Sequence, residues 1–375
     1  MSKKKRFVCV IAVLALVLCS FTPIEVSASE EEPENGGKIQ LTENLAIEIA
    51  EGFAQGVDGG NNIEAVNPTK FYNLEGQAIG YIIDYLKDSS PYGYVILDST
   101  NEDLICEYSF GNQSISPDKV AEEKNPVTTR SSVSQDENKV YRIDPFTYGV
   151  ETGGTIVTNS EENYPLPQTR SIPTDDWNDI FILNYYANYE IIETNYHTTF
   201  YSLSEQMVES LTGHYACAVS AMAICADYYG LLDYPNFSEE YLKLWNYSNT
   251  TTLPTSTSEV TYGSTYSHNA ISAFKKFCSE KGRYFNADTY IVDLYGGFKG
   301  CIDSGNVGLI SCHIYVNGED SGHMMAVQGY STIKPKNASY QIRSIRVADG
   351  WGNVARNINL SQVEWISVEG YGFHA

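Results

Sequence analysis

The sequence predicts a mixed α+β chain in two parts, and three observations carry that expectation. The C-terminal half reads as helices first and strands afterwards, the order of an α+β domain with an antiparallel sheet. The N-terminal half reads as one helix followed by a meander of strands. Between them, the stretch 113–177 is rich in Ser, Thr, Glu, Asn and Pro, with scattered apolar residues such as Val140, Tyr141 and Phe146. That composition predicts a linker carrying a strand or two. The expected layout is a signal peptide over 1–28, a small α+β domain over 29–112, a linker over 113–177 and the main domain over 178–375.

The start of the chain reads as an export signal. Lys3-Lys4-Lys5-Arg6 is basic, Phe7 to Phe21 is apolar, and Val26-Ser27-Ala28 offers small residues for cleavage. The apolar run falls short of the roughly 18 residues of a spanning helix, so no stable membrane anchor is expected. The formal net charge of −23 argues against nucleic acid and anionic membrane surfaces as partners. Of 8 cysteines, Cys9 and Cys19 fall in the signal, leaving six. Cys106 stands in the N-terminal half. Cys217, Cys225, Cys278, Cys301 and Cys312 stand in the C-terminal half, and five cannot all pair among themselves. Cys217 is the one expected outside any disulfide, and pairing among Cys278, Cys301 and Cys312 stays open. The chain has no C-x-x-C pair, so no metal site and no cofactor are expected.

Taken in order, Thr42 caps a helix with Leu45, Ile49 and Phe53 on one face. Strands follow over Thr69–Leu74, Gln77–Leu86, Tyr92–Asp98 and Leu104–Phe110, broken at Gly76 and at Ser89-Ser90-Pro91. Arg130 and Arg170 in the linker read as ordinary surface charge. Phe181–Tyr189 is a strand or short helix, and Tyr196–Ser202 another strand. A helix starts at Cys217, its buried face carrying Val219, Met222, Ala223 and Ala226, and Gly230 stops it. Ser238 caps the next helix, to Trp245. Thr250–Ser267 is a loop. Helices over His268–Lys281 and Val292–Asp303 precede strands over Val307–Val316, His323–Tyr330, Ser339–Asp349 and Ala355–Leu360, with a turn at Asn317-Gly318.

The chemistry starts from Cys217. A thiol at a helix start feels the positive end of the helix dipole, which favours the thiolate. The Cys217 main-chain N–H there suits an oxyanion. His323 opens one strand and Asp349 closes the next. Antiparallel pairing of those strands brings His323 and Asp349 to one sheet edge, where the carboxylate accepts the imidazole N–H and turns the other ring nitrogen to the thiol. That is a nucleophile, base and orienter in the order Cys, His, Asp. His313, inside the preceding strand, ranks second as base, and His214 and Trp351 are candidates to line the site.

Tyr215-Ala216-Cys217 entering a helix, Gly322-His323-Met324-Met325-Ala326-Val327-Gln328-Gly329-Tyr330, and Asp349-Gly350-Trp351-Gly352 together resemble the three catalytic blocks of the papain-like cysteine peptidases. Secreted bacterial branches, the streptopain-like peptidases and the bacteriocin-processing peptidases, are the nearer likeness. The N-terminal helix and meander, with Gly93-Tyr94-Val95-Ile96-Leu97-Asp98, are similar to a streptopain-type propeptide. The likeness covers roughly 200–360 well and the N-terminal half loosely. One departure stands out. The family carries a Gln just before the Cys as an oxyanion donor, where this chain has Leu211-Thr212-Gly213-His214. The nearest Gln is Gln206, 217 − 206 = 11 positions upstream, and it becomes the oxyanion candidate.

The resemblance implies a papain-like fold and a secreted bacterial cysteine peptidase made as a zymogen. Cys217 would attack, His323 serve as base then acid, and Asp349 orient it, with Trp351 shielding the pair. The partners implied are a peptide or protein substrate and the chain's own N-terminal domain as inhibitor. Two other expectations compete: a peptidoglycan amidase or endopeptidase using the same triad, and an inactive papain-like surface binding module.

Overall fold

A computed structural model of the chain describes residues 38–59, 62–124, 139–160, 163–166, 180–198, 202–316, 319–352, 355–363 and 365–375. The expected signal peptide, Arg130, Arg170 and the turn at Asn317-Gly318 lie outside those residues.

The N-terminal domain follows the sequence expectation closely. Strand β1 (Ile39–Gln40) leads into α1 (Glu43–Val57), where the Thr42 Oγ1 accepts the Leu45 N–H at 3.3 Å. Ala46, Ile49, Ala50, Phe53 and Ala54 form its buried face. Then come β2 (Ile63–Tyr72), β3 (Ala78–Lys87), β4 (Ser90–Asp98) and β5 (Ile105–Phe110), each antiparallel to the one before. Strand β2 starts earlier than expected. It runs through a bulge between Val66 and Thr69, where Asn67 takes φ 52° ahead of Pro68 and keeps the ladder going on both sides.

The expected linker is a folded layer, which corrects the composition-based reading. It holds α2 (Pro117–Lys124), β6 (Val140–Arg142), β7 (Tyr148–Thr152), β8 (Thr155–Thr158) and β9 (Tyr164–Pro165). Strand β6 lies parallel to β2, Val140 opposite Phe71 and Tyr141 opposite Tyr72, and β7 to β9 continue antiparallel. The few apolar residues here are spent well. Val140, Tyr148 and Val150 pack on Phe71, Tyr94 and Ile96 of the N-terminal sheet. The Arg142–Asp98 ion pair is buried beside them.

The C-terminal half opens with β10 (Phe181–Ile182), paired to β1, and β11 (Tyr189–Tyr196), paired to a later strand. The long strand thus falls between the two expected there. Next are α3 (Glu205–Thr212), β12 (His214–Tyr215), α4 (Cys217–Tyr228) and α5 (Phe237–Tyr247). Ser238 is not the cap of α5. A 3₁₀ turn, Tyr234–Asn236, runs straight into that helix, so Ser238 lies inside it. The expected loop carries β13 (Thr251–Thr252) and β14 (Thr261–Ser264), and then come α6 (Ser267–Glu280), β15 (Asn286–Tyr290) and α7 (Leu294–Asp303). Strands β16 (Gly308–Val316), β17 (Glu319–Pro335), β18 (Ile342–Ala348), β19 (Ala355–Asn359) and β20 (Ser367–His374) finish the chain.

Among the described residues helix accounts for 28% and strand for 39%, so the sheet is the scaffold of this α+β protein. Its main path runs β15-β20-β16-β17-β18-β19-β5-β4-β3-β2-β6-β7-β8-β9, with β11 added beside β17. The step from β19 to β5 joins the two halves, Asn357 opposite Tyr108 and Ile358 opposite Glu107. The main core surrounds α4, which is apolar all round, with Val219, Met222 and Ile224 against Ile310, Met325 and Val347. A second core is shared: Phe53, Tyr85 and Leu97 pack with Tyr189, Ile333 and Ile342. Residues 38–375 form one compact unit.

Candidate active site

Helix α4 begins at Cys217, and Ala216 in the capping position makes no side-chain cap bond. The first-turn N–H groups are therefore left without a capping side chain, at the positive end of the helix. The Tyr241 hydroxyl secures the entry instead, accepting the Ala216 N–H at 3.1 Å and donating to the Ala216 carbonyl at 3.3 Å. Two residues before the cysteine, the Tyr215 hydroxyl donates to the Gly350 carbonyl at 3.1 Å. That bond ties the cysteine's strand to the turn after β18. Gly350 has φ 83°, and a Cβ there would sit 3.0 Å from the Tyr215 oxygen, so both conformation and space favour glycine.

Cys217 stands apart from the other cysteines. Cys106, Cys225, Cys278, Cys301 and Cys312 are buried and unbridged, whereas Cys217 is half-buried. Burial pushes the Cys106, Cys278 and Cys301 thiols up to about 12. Those three are neutral packing groups at physiological pH. Cys312 is raised further, by burial first and by the neighbouring Cys217 second. The Cys312 thiol donates to the His323 carbonyl at 3.4 Å.

Cys217 and His323 line one cavity of about 400 Å³, together with Trp351, His313, Asp144 and Phe146. A larger cavity, about 1220 Å³, lies between Asp84, Asn112, Lys119 and Ser202 and is lined by no cysteine or histidine among the described residues. Chemistry rather than size picks the smaller one. His323 sits inside β17, the fifth residue of it rather than the first, because pairing with β16 extends back to Glu319 opposite Val316. Strands β17 and β18 are antiparallel neighbours, Ala326 opposite Ala348, so Asp349 emerges beside His323 as expected.

The contact between them differs from the expected one. His323 hydrogen-bonds the main-chain carbonyl of Asp349. Its Nε2 is buried and has no partner among the described residues. The Asp349 carboxylate is engaged elsewhere. Its Oδ1 accepts the Trp351 and Gly352 N–H groups at 3.0 and 3.3 Å, and its Oδ2 takes Arg356 at 2.7 Å. An arginine and two main-chain donors outcompete one imidazole for a carboxylate. Trp351 lies flat on His323, ring centres 4.0 Å apart at 17°. Burial holds the imidazole down at about 4, with the Asp349 charge opposing and the Arg356 charge adding to the depression. His323 is therefore neutral at pH 7 in this form.

Arg356 escaped the sequence reading. All three of its guanidinium nitrogens are used: Nε and one terminal nitrogen on Glu107, both at 2.7 Å, the other on Asp349 and on the Phe146 carbonyl at 3.0 Å. Glu107, Arg356 and Asp349 are 1%, 3% and 3% exposed, so these charges are fully desolvated. The Tyr94 hydroxyl also donates to Glu107. The only hint in the sequence was an arginine alone in a short strand. Asp144 and Phe146 were missed because they lie in the expected linker. Asp144 accepts the Phe146 and Thr147 N–H groups at 2.8 and 3.0 Å, and that turn holds Phe146 against the cavity.

Two expected residues are elsewhere. Gln206 is exposed on α3 and does not line the Cys217 cavity. Helix α3 closes with Gly213 at φ 66°, and the turn that follows separates Gln206 from the start of α4. His214 is also absent from the lining. Its Nδ1 meets the Thr212 carbonyl at 2.9 Å and its ring packs edge-on to Trp245 at 5.2 Å. His313 does line the cavity, on the exposed side, next to Gly322. No group of three or more His, Cys, Asp or Glu placed to hold a metal ion is present among the described residues.

No protein-family model matches the chain, and no curated protein matches it. What the site can do has to be read from its atoms. They are a half-buried thiol on a helix start with no side-chain cap, an imidazole whose buried Nε2 has no partner among the described residues, and a cavity that both residues line.

Proposed function

We propose that the protein is an exported, papain-like cysteine peptidase in a latent form. The observation that carries this reading is the shared cavity. The one half-buried cysteine among the six described lines the same cavity as His323, whose buried Nε2 has no partner among the described residues. In the working state Cys217 gives its proton to His323, and the sulfur attacks the scissile carbonyl carbon. The carbonyl oxygen takes the negative charge, and the Cys217 main-chain N–H at the start of α4 receives it. His323 then hands the proton to the leaving amine as the C–N bond breaks. Water, activated by the same imidazole, hydrolyses the thioester and regenerates the thiol.

Latency is supported by two features. The neutral imidazole does not make the thiolate–imidazolium pair such an enzyme needs. The turn at Asp144–Thr147, with Ser160 and Tyr164, lines the Cys217 cavity where a substrate would lie. The inhibiting part of the N-terminal half is thus the layer β6 to β9 rather than the helix and meander.

The experiment is alkylation of Cys217 by iodoacetamide across pH, before and after proteolytic activation, with His323→Ala as control. Fast alkylation well below pH 7, gained on activation and lost in the variant, is the expected result. A thiol that follows an ordinary pKa of about 8.5 in every form overturns the reading. An inactive binding module is the second reading, favoured by the distance of Gln206 from the cavity. Casein against peptidoglycan as substrate separates a peptidase from a wall hydrolase.

A further inference from the structure

We propose that residues 38–112 are a standing part of the working molecule, and that Glu107 is a positioning residue for the Cys217–His323 centre, acting through Arg356 on Asp349. The proposal rests on the peptidase reading of that centre. The connection has no gap. Glu107 grips the guanidinium with both oxygens at 2.7 Å, and Arg356 holds the Asp349 Oδ2 at 2.7 Å. The other Asp349 oxygen is fixed by the turn it opens, through the Trp351 and Gly352 N–H groups. That turn sets both groups in contact with the imidazole, the Asp349 carbonyl at its edge and Trp351 on its face. Without Glu107, a buried guanidinium keeps one carboxylate where it had two, and the turn it steadies is free to shift.

The border between the halves points the same way. Parts of one chain move apart readily unless the interface between them is large and hydrophobic. Here the border is a sheet ladder sealed by buried bonds. The Asn357 side chain donates to the Tyr108 carbonyl at 3.1 Å, Asn359 to the Ile105 carbonyl at 2.8 Å, and the Ser109 hydroxyl to the Ala355 carbonyl at 2.7 Å. Helix α1 rests directly on the chain ahead of and into β11. A Cβ at Gly52 would come within 1.8 Å of the Ala187 carbonyl oxygen, and one at Gly56 within 2.0 Å of that of Tyr189. What has to clear the cleft is the stretch from Asp144 to Tyr164, and this stretch does not include the Glu107 strand.

The test inserts sites for a highly selective protease between Lys124 and Lys139 and between Leu166 and Ile180 of the full chain, so that cutting frees the β6–β9 layer and leaves an N-terminal and a C-terminal piece. After cutting, gel filtration in native buffer is expected to show both pieces eluting together and separating only in denaturant. Departure of the N-terminal piece from a C-terminal piece that stays folded overturns the standing role. On the cut complex, Cys217 alkylation is followed against pH in Glu107→Gln and Glu107→Asp, with thermal melting as the fold control. Glu107→Gln is expected to slow alkylation near pH 6 by at least about tenfold, and Glu107→Asp to recover part of it. An unchanged profile in either variant, while folded, overturns the positioning role. An ordinary thiol profile in the unaltered cut complex sinks the peptidase reading and the positioning role with it, and the elution result then decides the standing role alone.

Discussion

His323 and Arg356 flank Asp349 and are satisfied to opposite degrees. Arg356 spends all three nitrogens on two carboxylates and a carbonyl, deep in the sheet where the two halves meet. His323 meets the Asp349 carbonyl, lines a cavity, and keeps a buried Nε2 with no partner among the described residues. Burial is nearly the same for both, so burial does not separate structure from chemistry here. Unmet bonding capacity does. A buried polar atom without a partner costs stability, and of the six described residues that keep one, His323 is the one that lines the Cys217 cavity.

The comparison can be broken, and the largest effects come first. Cys217→Ala on the cavity side should abolish peptide hydrolysis, by about 10⁶-fold if the thiol acts as other covalent nucleophiles do. Its cost in stability should stay under about 1 kcal/mol, since a half-buried thiol becomes a good helix former. Activity assays and urea unfolding read the two sides together. A stability loss as large as that of a core variant would mean Cys217 is packing after all.

On the satisfied side, Arg356→Met should cost about 3–5 kcal/mol in urea unfolding, because Glu107 and Asp349 are left buried and facing each other. Pairing it with Glu107→Met should return part of that loss. A single variant within 1 kcal/mol of the parent would dissolve the contrast.

The third test is pH. His323 is held at about 4 against an ordinary 6.5. A histidine depressed in the folded state favours the folded form fully above 6.5, and this contribution is lost as pH falls from 6.5 through 4. The linked change is on the order of 3 kcal/mol. His323→Gln should remove that slope from the stability profile, measured by urea midpoints between pH 7 and 4.

A smaller effect probes Asp349. Asn keeps an oxygen for the Trp351 and Gly352 N–H groups and loses the ion pair. Because the carbonyl, not the carboxylate, meets His323 while the Arg356 link is lost, Asp349→Asn should lower kcat by roughly ten- to a hundredfold. A carboxylate that orients the imidazole would show a drop nearer 10⁴. Smallest of all, Thr42→Ala, remote from both places, should cost about 1 kcal/mol through its lost cap and leave kcat unchanged.

Local signals carried the parts of the molecule that were legible in sequence. The Thr42 cap, the α1 face, the β2–β5 meander and the start of α4 at Cys217 each follow from residues within one element. Pairing of β17 with β18 was open to deduction because one short connection joins them. The hidden parts depend on distance. Strands β6 to β9 are short and polar, and become strands only by laying Val140 and Tyr148 on a sheet some seventy residues earlier. The fate of the Asp349 carboxylate hung on Arg356, whose own partner Glu107 is 249 positions away. Gln206 looked available by spacing, and the turn at Gly213 took it off the cavity.

The meeting of β5 with β19 also sets an order of events. Most of the chain must exist before that ladder forms, since Tyr108 waits for Asn357. Until then β5 is a bare sheet edge, and the buried side chains of Glu107 and Tyr94 are a hydrogen-bonded pair with no cation. Contacts so far apart in the chain make for slow folding, and open edges invite wrong partners meanwhile. Residues 355–359 are the closing stitch, since the β5 edge of the N-terminal meander is covered once they are in place.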